Sequence, residues 1–271
     1  MRILACLAVC LSLITNAALG HEFWISPQKY RIAPGETLLA SLRVGQNFSG
    51  ASVSYLPPRF RRFDLVRGER ILPVAGRLGD DPALSATLPE PGLWIVVHET
   101  ADSILTWDGW EDFAAFVRHK DLGDTLERHV ARGLPPEGFR ERYRRFAKAL
   151  IAVGAGQGRD SAQGLRTELV ALDNPYADDP PGGLRILLLF AGRPRADAQI
   201  EIFEKAPGGQ VTVSTRRTDA AGIATIPLRP GHEYLLDAVT MLPLENAGDP
   251  AAPAWESLWA SLTFRVPPET P

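Results

Sequence analysis

Apolar and polar residues alternate along the first half of the chain, in short runs separated by turn residues. Every second position from 38 to 44 is apolar, namely Leu38, Ala40, Leu42 and Val44. This is the period of a strand with one buried face. A continuous apolar run at 93–97 follows a Pro-Gly pair and predicts a buried strand. Short strands with frequent turns between them indicate an antiparallel β-sandwich.

The period changes to 3.6 residues between residues 107 and 152. One predicted helix face carries Trp110, Phe113, Ala114 and Val117. A second set with the same spacing follows a Pro-Pro pair and contains Phe139, Tyr143, Phe146, Ala147 and Leu150. Two amphipathic helices therefore form a predicted insertion at 107–152. Arg140, Arg144 and Lys148 would form a basic stripe on the second helix, which we expect to face solvent.

Alternation returns in the last third of the chain. Strand-like runs at 184–190 and 198–204 are followed by further short strands, and a turn at 218–222 contains Asp219 and Gly222. In such turns the Asp side chain caps the backbone and Gly supplies a positive φ. This order resembles a small seven-stranded sandwich of the prealbumin or carboxypeptidase-regulatory type.

The predicted fold is therefore mainly β, with two antiparallel β-sandwich domains. We place the first domain at 21–176, with the two-helix insertion inside it, and the second at 177–271. The boundary is a Pro- and Gly-rich acidic stretch between the two strand-forming regions.

Residues 1–20 have the composition of a secretory signal peptide. A basic residue precedes an apolar run at 3–14. The small residues Ala18 and Gly20 occupy positions −3 and −1 relative to a cleavage site between Gly20 and His21. Cleavage after Gly20 would make His21 the first residue of the mature chain. We therefore expect a protein of the bacterial periplasm.

The composition limits which functions are expected. The chain has 29 Lys and Arg against 32 Asp and Glu, and this acidic balance argues against general nucleic-acid binding. After the leader no apolar run reaches the ~20 residues that a transmembrane helix needs. Both cysteines, Cys6 and Cys10, lie in the leader. A metal site in the mature chain would therefore use nitrogen and oxygen ligands.

Three histidines are candidate metal ligands. His21, as the first mature residue, would offer a free amine and an imidazole together, and both are good ligands for transition metals. His98 follows the buried run at 93–97, and His232 lies in a Pro-Gly turn. Each could supply a further nitrogen, or could be a structural histidine. His119 and His129 fit no ligand pair, and we expect them to face solvent.

Four segments carry a resemblance to a known family. They are His-Glu-Phe-Trp at 21–24, the basic-aromatic stretch at 143–150, residues 168–176, and the Trp- and Ser-containing stretch at 255–264. Together they resemble the DUF4198 family, described as periplasmic components of cobalt or nickel uptake. The resemblance implies a metal ion and a membrane metal transporter as partners. Relatives often have a histidine where this chain has Thr240, which implies weaker binding, another ligand or lost activity.

Three functions remain open. The first is a periplasmic binding or accessory protein for nickel, cobalt or copper, with His21, His98 and His232 as metal ligands. The second is a copper oxidoreductase with a histidine brace, in which the amine and imidazole of His21 and one more imidazole hold copper. The third is a metal-free periplasmic binding or assembly module. The sequence contains neither the Gly-x-Ser-x-Gly nor the His-Glu-x-x-His motif, and binding is favoured over catalysis.

Overall fold

The computed structural model describes residues 21–178, 182–245, 249 and 251–269. The predicted leader lies outside these residues. In chain order the strands are β1 (Glu22–Pro27), β2 (Arg31–Ile32), β3 (Thr37–Gln46), β4 (Ser49–Val53), β5 (Phe60–Arg67), β6 (Arg70–Pro73), β7 (Leu84–Thr87), β8 (Gly92–Thr100), β9 (Ser103–Trp107), β10 (Phe139–Val153), β11 (Thr167–Ala171), β12 (Leu184–Phe190), β13 (Arg193–Pro194), β14 (Gln199–Lys205), β15 (Val211–Arg217), β16 (Ile223–Ile226), β17 (Glu233–Pro243) and β18 (Pro253–Arg265). The α-helices are α1 (Trp110–His119) and α2 (Thr125–Ala131). Within the described ranges no helix is long and apolar enough to cross a membrane.

The strands form three sheets. The central sheet has the order β15-β14-β17-β18-β10-β8-β5-β6, with β2 and β9 also paired to β10. The N-terminal sheet has the order β1-β3-β4 with β7 on β3, and the C-terminal sheet has the order β11-β12-β13 with β16 on β12. Most pairings are antiparallel, but β10 runs parallel to β18 and to β2.

The two outer sheets pack on opposite faces of the central sheet. The Ser261 hydroxyl of β18 donates to the Phe23 carbonyl of β1 at 2.7 Å, and Ser261 is in register with Ala147. Lys148 points to the other face because side chains alternate along a strand, and it contacts Glu168 of β11 at 3.0 Å. The predicted class, a mainly β protein of sandwich type, is confirmed.

Two sheets cross the predicted domain boundary. Strand β10 pairs with β18 in the central sheet, and β11 pairs with β12 in the C-terminal sheet. One hydrophobic core contains buried residues from both sides, including Leu42 and Leu188. The described halves therefore share sheets and core, and the division into domains at 176/177 stays a prediction.

The second predicted helix is wrong. Helix α1 covers the first apolar set, but residues 139–150 lie in strand β10, and the second helix is α2 instead. Residues 146–153 are buried without interruption. A strand covered on both faces has no polar face to set its period, so its apolar spacing matched a helix by chance. Lys148, predicted in a solvated stripe, is only 1% exposed.

The other local predictions are confirmed. The alternating run at 37–44 lies in β3, the apolar run at 93–97 lies in β8, and 184–190 is strand β12. In the turn before β16 the Asp219 carboxylate accepts hydrogen bonds from two backbone N–H groups, each at 2.9 Å. Gly222 has a φ of +75°, which costs glycine little.

Candidate functional site

Strand β1 separates two polar environments. Its alternation directs Phe23 to one side and Glu22 and Trp24 to the other. Phe23 lines a cavity between the N-terminal and central sheets, whereas Glu22 belongs to a buried ion cluster. The segment at 21–24, selected from the sequence for its histidine, thus positions two sites.

The cavity, here called the inter-sheet pocket, has a volume of about 580 Å³. Its walls combine aliphatic and aromatic side chains with a few polar groups. The apolar walls include Phe23, Leu42, Val44, Val53, Phe60 and Ile104. The polar lining includes Arg59, His98, Asp102, Tyr143 and Arg145. An apolar cavity with a few convergent polar groups is the usual form of a small-molecule site.

His98 lies at a buried wall of this pocket. It is inside β8, two residues before the strand ends, and is 2% exposed. The rings of Phe23, Phe60 and Phe63 lie 5.3, 5.3 and 4.9 Å from its ring. No described residue forms a hydrogen bond with either ring nitrogen. Burial lowers the pKa of His98 to about 3, so its imidazole is neutral at pH 7.

Arg145 is the cation of the pocket wall. Its Nη2 donates to the His21 carbonyl at 3.1 Å, and its guanidinium lies 4.6 Å from the Tyr143 ring centroid. Its buried Nε has no hydrogen-bond partner among the described residues. Burial lowers the pKa of Arg145, while Tyr143, Asp237 and Glu141 nearby oppose that effect. The Arg145 guanidinium is nevertheless protonated at neutral pH, because the pKa of an arginine starts far above 7.

Of the three predicted metal ligands, His98 lines this pocket. His21 is exposed, and its backbone carbonyl accepts a hydrogen bond from Arg145 of the pocket wall. The His98 ring packs against Phe23, with ring centroids 5.3 Å apart. Within the described residues no group of three His, Cys, Asp or Glu side chains could hold a metal ion.

The third predicted ligand, His232, lies elsewhere. Strand β1 runs alongside β18, where Ser261 is hydrogen-bonded to Phe23 near the start of β1. Four residues further along β18, Arg265 pairs with Glu233, the residue after His232. At ~3.3 Å per residue this places His232 about 20 Å from His21. Its Nδ1 is 2.8 Å from a carboxylate oxygen of Glu204, although the angle is too poor for a hydrogen bond. His21 and His232 are not brought together.

The remaining histidines have structural surroundings. His119 is largely exposed, with Nε2 2.9 Å from a Glu201 oxygen. The expectation that His129 faces solvent is wrong, because it is 1% exposed and its Nδ1 accepts from the Trp255 indole at 3.1 Å. Helix α2 packs its His129 side against aromatic residues of β10 and β18.

Thr240, which stands where relatives often have a histidine, lies in strand β17. Thr240 Oγ1 accepts from Arg195 at 2.6 Å. It is three residues after Asp237 on β17, and alternation directs it to the face opposite Asp237. Because Asp237 lies on the β1 side, a histidine at position 240 would point away from His21.

The second site on β1 is a buried ion cluster that sequence inspection missed. Lys120 donates to Glu22 at 3.1 Å, to Glu201 at 2.6 Å and to Asp237 at 3.0 Å. Burial raises the pKa of Glu22 to about 7, although Lys120 opposes the rise. Burial lowers the pKa of Lys120, but the three carboxylates outweigh it and leave that pKa raised. The residues of this ion cluster lie far apart in the sequence, so no local sequence pattern predicts the cluster.

Three of the four segments noted in the sequence meet around β1: the Ser261 hydroxyl donates to the Phe23 carbonyl, and Arg145 donates to the His21 carbonyl. The fourth segment contacts the opposite face of β10, where Lys148 binds Glu168. A search of curated proteins found no match. The sequence profile of a family described as a domain of unknown function (DUF4198) matches residues 18–241. Since this match covers most of the chain, the protein belongs to the DUF4198 family.

Proposed function

We propose that the chain is a periplasmic binding protein whose ligand occupies the inter-sheet pocket. The observation that carries this proposal is the state of His98 and Arg145 on the pocket wall. Both hold buried nitrogens without partners among the described residues. Each unsatisfied buried polar group costs ~1–3 kcal/mol of stability. Such a cost is typical of sites whose polar groups serve a ligand.

A pocket-filling variant tests this proposal. Val53 lines the pocket from β4, and Val53→Trp would fill part of it. Val130→Trp is the matched control, because Val130 is 67% exposed on α2. In a ligand-observed NMR screen of small organic fragments, we expect a set that binds wild type and the control but not Val53→Trp. The proposal fails if no fragment discriminates between the two variants.

A divalent transition metal is the second candidate ligand, and the exposure of His21 favours it. The His21 side chain is exposed at the start of β1, and Arg145 fixes its backbone. With a free amine it would close a chelate within one residue. In this proposal the protein hands nickel, cobalt or copper to a membrane transporter. His98 could add a nitrogen only if the aromatic cage around it opened, because it is 2% exposed, and His232 is too distant.

Calorimetric titration of protein that begins at His21 separates the two candidates. His21→Ala should abolish tight Cu²⁺ and Ni²⁺ binding, whereas His119→Ala should leave it unchanged. Equal affinities for wild type and His21→Ala would remove the metal candidate. The histidine-brace alternative requires in addition that copper-loaded protein form peroxide with a reductant.

A further inference from the structure

The lining of the inter-sheet pocket carries more positive than negative charge. Arg59 and Arg145 line it, together with one carboxylate, Asp102. That carboxylate is already bonded to two other arginines, Arg61 at 3.1 Å and Arg144 at 2.6 Å. Two arginines therefore line the pocket against one carboxylate that is already paired, and Asp237 and Glu141, which act on Arg145, are not part of the lining. The whole chain, in contrast, has a formal charge of −3.

This local excess of arginine selects the sign of the ligand's charge. A metal cation or an ammonium group would meet unfavourable potential at this wall, whereas an anion would be attracted. The planar guanidinium of Arg145 has an Nε donor without a partner in the part of the chain that the structure describes, and arginine matches the geometry of a carboxylate. The neutral His98 ring brings no competing negative charge.

The remaining walls select an apolar body. Phe23 and Phe60 contribute aromatic rings, and Leu42, Val44 and Val53 contribute aliphatic side chains. A volume of about 580 Å³ is within the ~300–1,000 Å³ range of small-molecule pockets. The pocket therefore offers one polar, positive wall and a larger apolar surface.

We infer that the ligand of the pocket is a small amphipathic organic anion, of which an aromatic or aliphatic carboxylate is the simplest form. Its acid group pairs with Arg145 and Arg59, and its apolar body lies against Phe23 and Phe60. This inference rests on the proposed function, because it names the ligand class of the same pocket.

Three probes with one body and different head groups test the inference. They are benzoate, benzyl alcohol and benzylammonium, titrated calorimetrically into the full mature chain at low ionic strength. Benzoate should bind at least ~10-fold more tightly than the alcohol, and benzylammonium most weakly. Added salt should weaken benzoate binding because it screens the arginines. Arg59→Gln should weaken benzoate several-fold, while Lys29→Gln, at an exposed lysine outside the pocket, should not.

The outcomes separate the two claims. If the alcohol or the ammonium binds as tightly as benzoate and Val53→Trp abolishes that binding, the pocket is a ligand site and the anion inference is wrong. If benzoate binds equally to wild type and Val53→Trp, it binds elsewhere, and both claims fail. If none of the three probes binds wild type at millimolar concentration, the anion inference is overturned, and the fragment screen decides the proposed function separately.

Discussion

Two cations of strand β10, Arg145 and Lys148, are three residues apart and have opposite environments. Lys148 donates to Asp160, Glu168 and two backbone carbonyls, at 3.0 to 3.2 Å. The two carboxylates in turn accept from backbone N–H groups. The Arg145 guanidinium donates to the His21 carbonyl, and its Nε has no partner among the described residues.

The difference distinguishes a cation that serves the fold from one available to a ligand. Around Lys148 the chain supplies every partner, and no described pocket is lined by Lys148. Around Arg145 the chain supplies aromatic faces and an open cavity. Burial alone therefore does not single out a candidate functional charge, whereas burial without partners beside a cavity does.

The largest expected effect comes from Lys148→Met. It leaves Asp160 and Glu168 buried without their cation, and breaking a buried ion pair in this way costs ~3–5 kcal/mol. Urea denaturation should show this loss in the free energy of unfolding. Lys29→Met, at an exposed ion pair with Glu36, should change stability by less than ~1 kcal/mol. Equal losses for the two variants would show that the Lys148 contacts do not stabilise the fold.

Glu141 gives the next effect, a dependence of stability on pH. Burial raises its pKa to about 7 from 4.5, although hydrogen bonds from Ser257 and Trp107 oppose the rise. The folded state therefore keeps the proton to higher pH than the unfolded state. The contribution of Glu141 to the free energy of unfolding is complete below pH 4.5. It is lost as pH rises through 7, and the loss amounts to at most ~3 kcal/mol.

Glu141→Gln isolates that contribution. The amide does not titrate, so the variant should lack this part of the decline in unfolding free energy between pH 4.5 and 7. Denaturation curves of both proteins across that range give the difference. Parallel pH profiles for wild type and variant would contradict the assignment.

His98→Phe should stabilise the protein. The substitution keeps a ring in the cage of Phe23, Phe60 and Phe63 and removes two buried nitrogens that have no hydrogen-bond partner among the described residues. We expect a gain of ~1–3 kcal/mol in unfolding free energy, together with weaker benzoate binding. A loss of stability would mean that the His98 nitrogens already have partners in solution.

Arg145→Gln should have the smallest effect on stability and a large effect on binding. It removes the hydrogen bond to His21 and the contact with Tyr143, worth together ~1–2 kcal/mol, and within the described ranges it breaks no ion pair. Benzoate affinity should fall at least ~10-fold. Arg145→Lys, which keeps the charge, should retain part of the affinity. If Arg145→Gln costs as much stability as Lys148→Met, the contrast between the two cations is wrong.

Local patterns predicted the strands that have one exposed face, and also β8, whose continuous apolar run follows a Pro-Gly turn, but they failed at β10. Strand β3 was correctly expected because its polar residues mark the exposed side. The predicted helix at 139–150 was wrong because residues 146–153 are buried on both faces. The class of the fold could thus be inferred from the sequence, but the central sheet shared by both halves could not, since the β10–β18 pairing joins distant segments.

The site was predictable only in part. His98 was selected as a candidate because it follows an apolar run, but its aromatic cage depends on Phe23, Phe60 and Phe63 meeting in the fold. Arg145 was covered only as part of the basic-aromatic stretch at 143–150. Arg145 could have been identified from one signal, namely an arginine that stands next to a run of apolar residues in a strand. The Lys120 cluster joins positions 22, 120, 201 and 237, and only the fold brings these together.

The most direct test of the central claim is an NMR titration of the histidine rings with benzoate. Mature protein labelled at histidine gives one set of ring resonances for each histidine, and His98 alone among them lines the inter-sheet pocket. The account predicts that benzoate shifts the His98 resonances with saturation, while those of His119, His129 and His232 stay in place. Shifts at His119, beside Lys120, with His98 unchanged would contradict it.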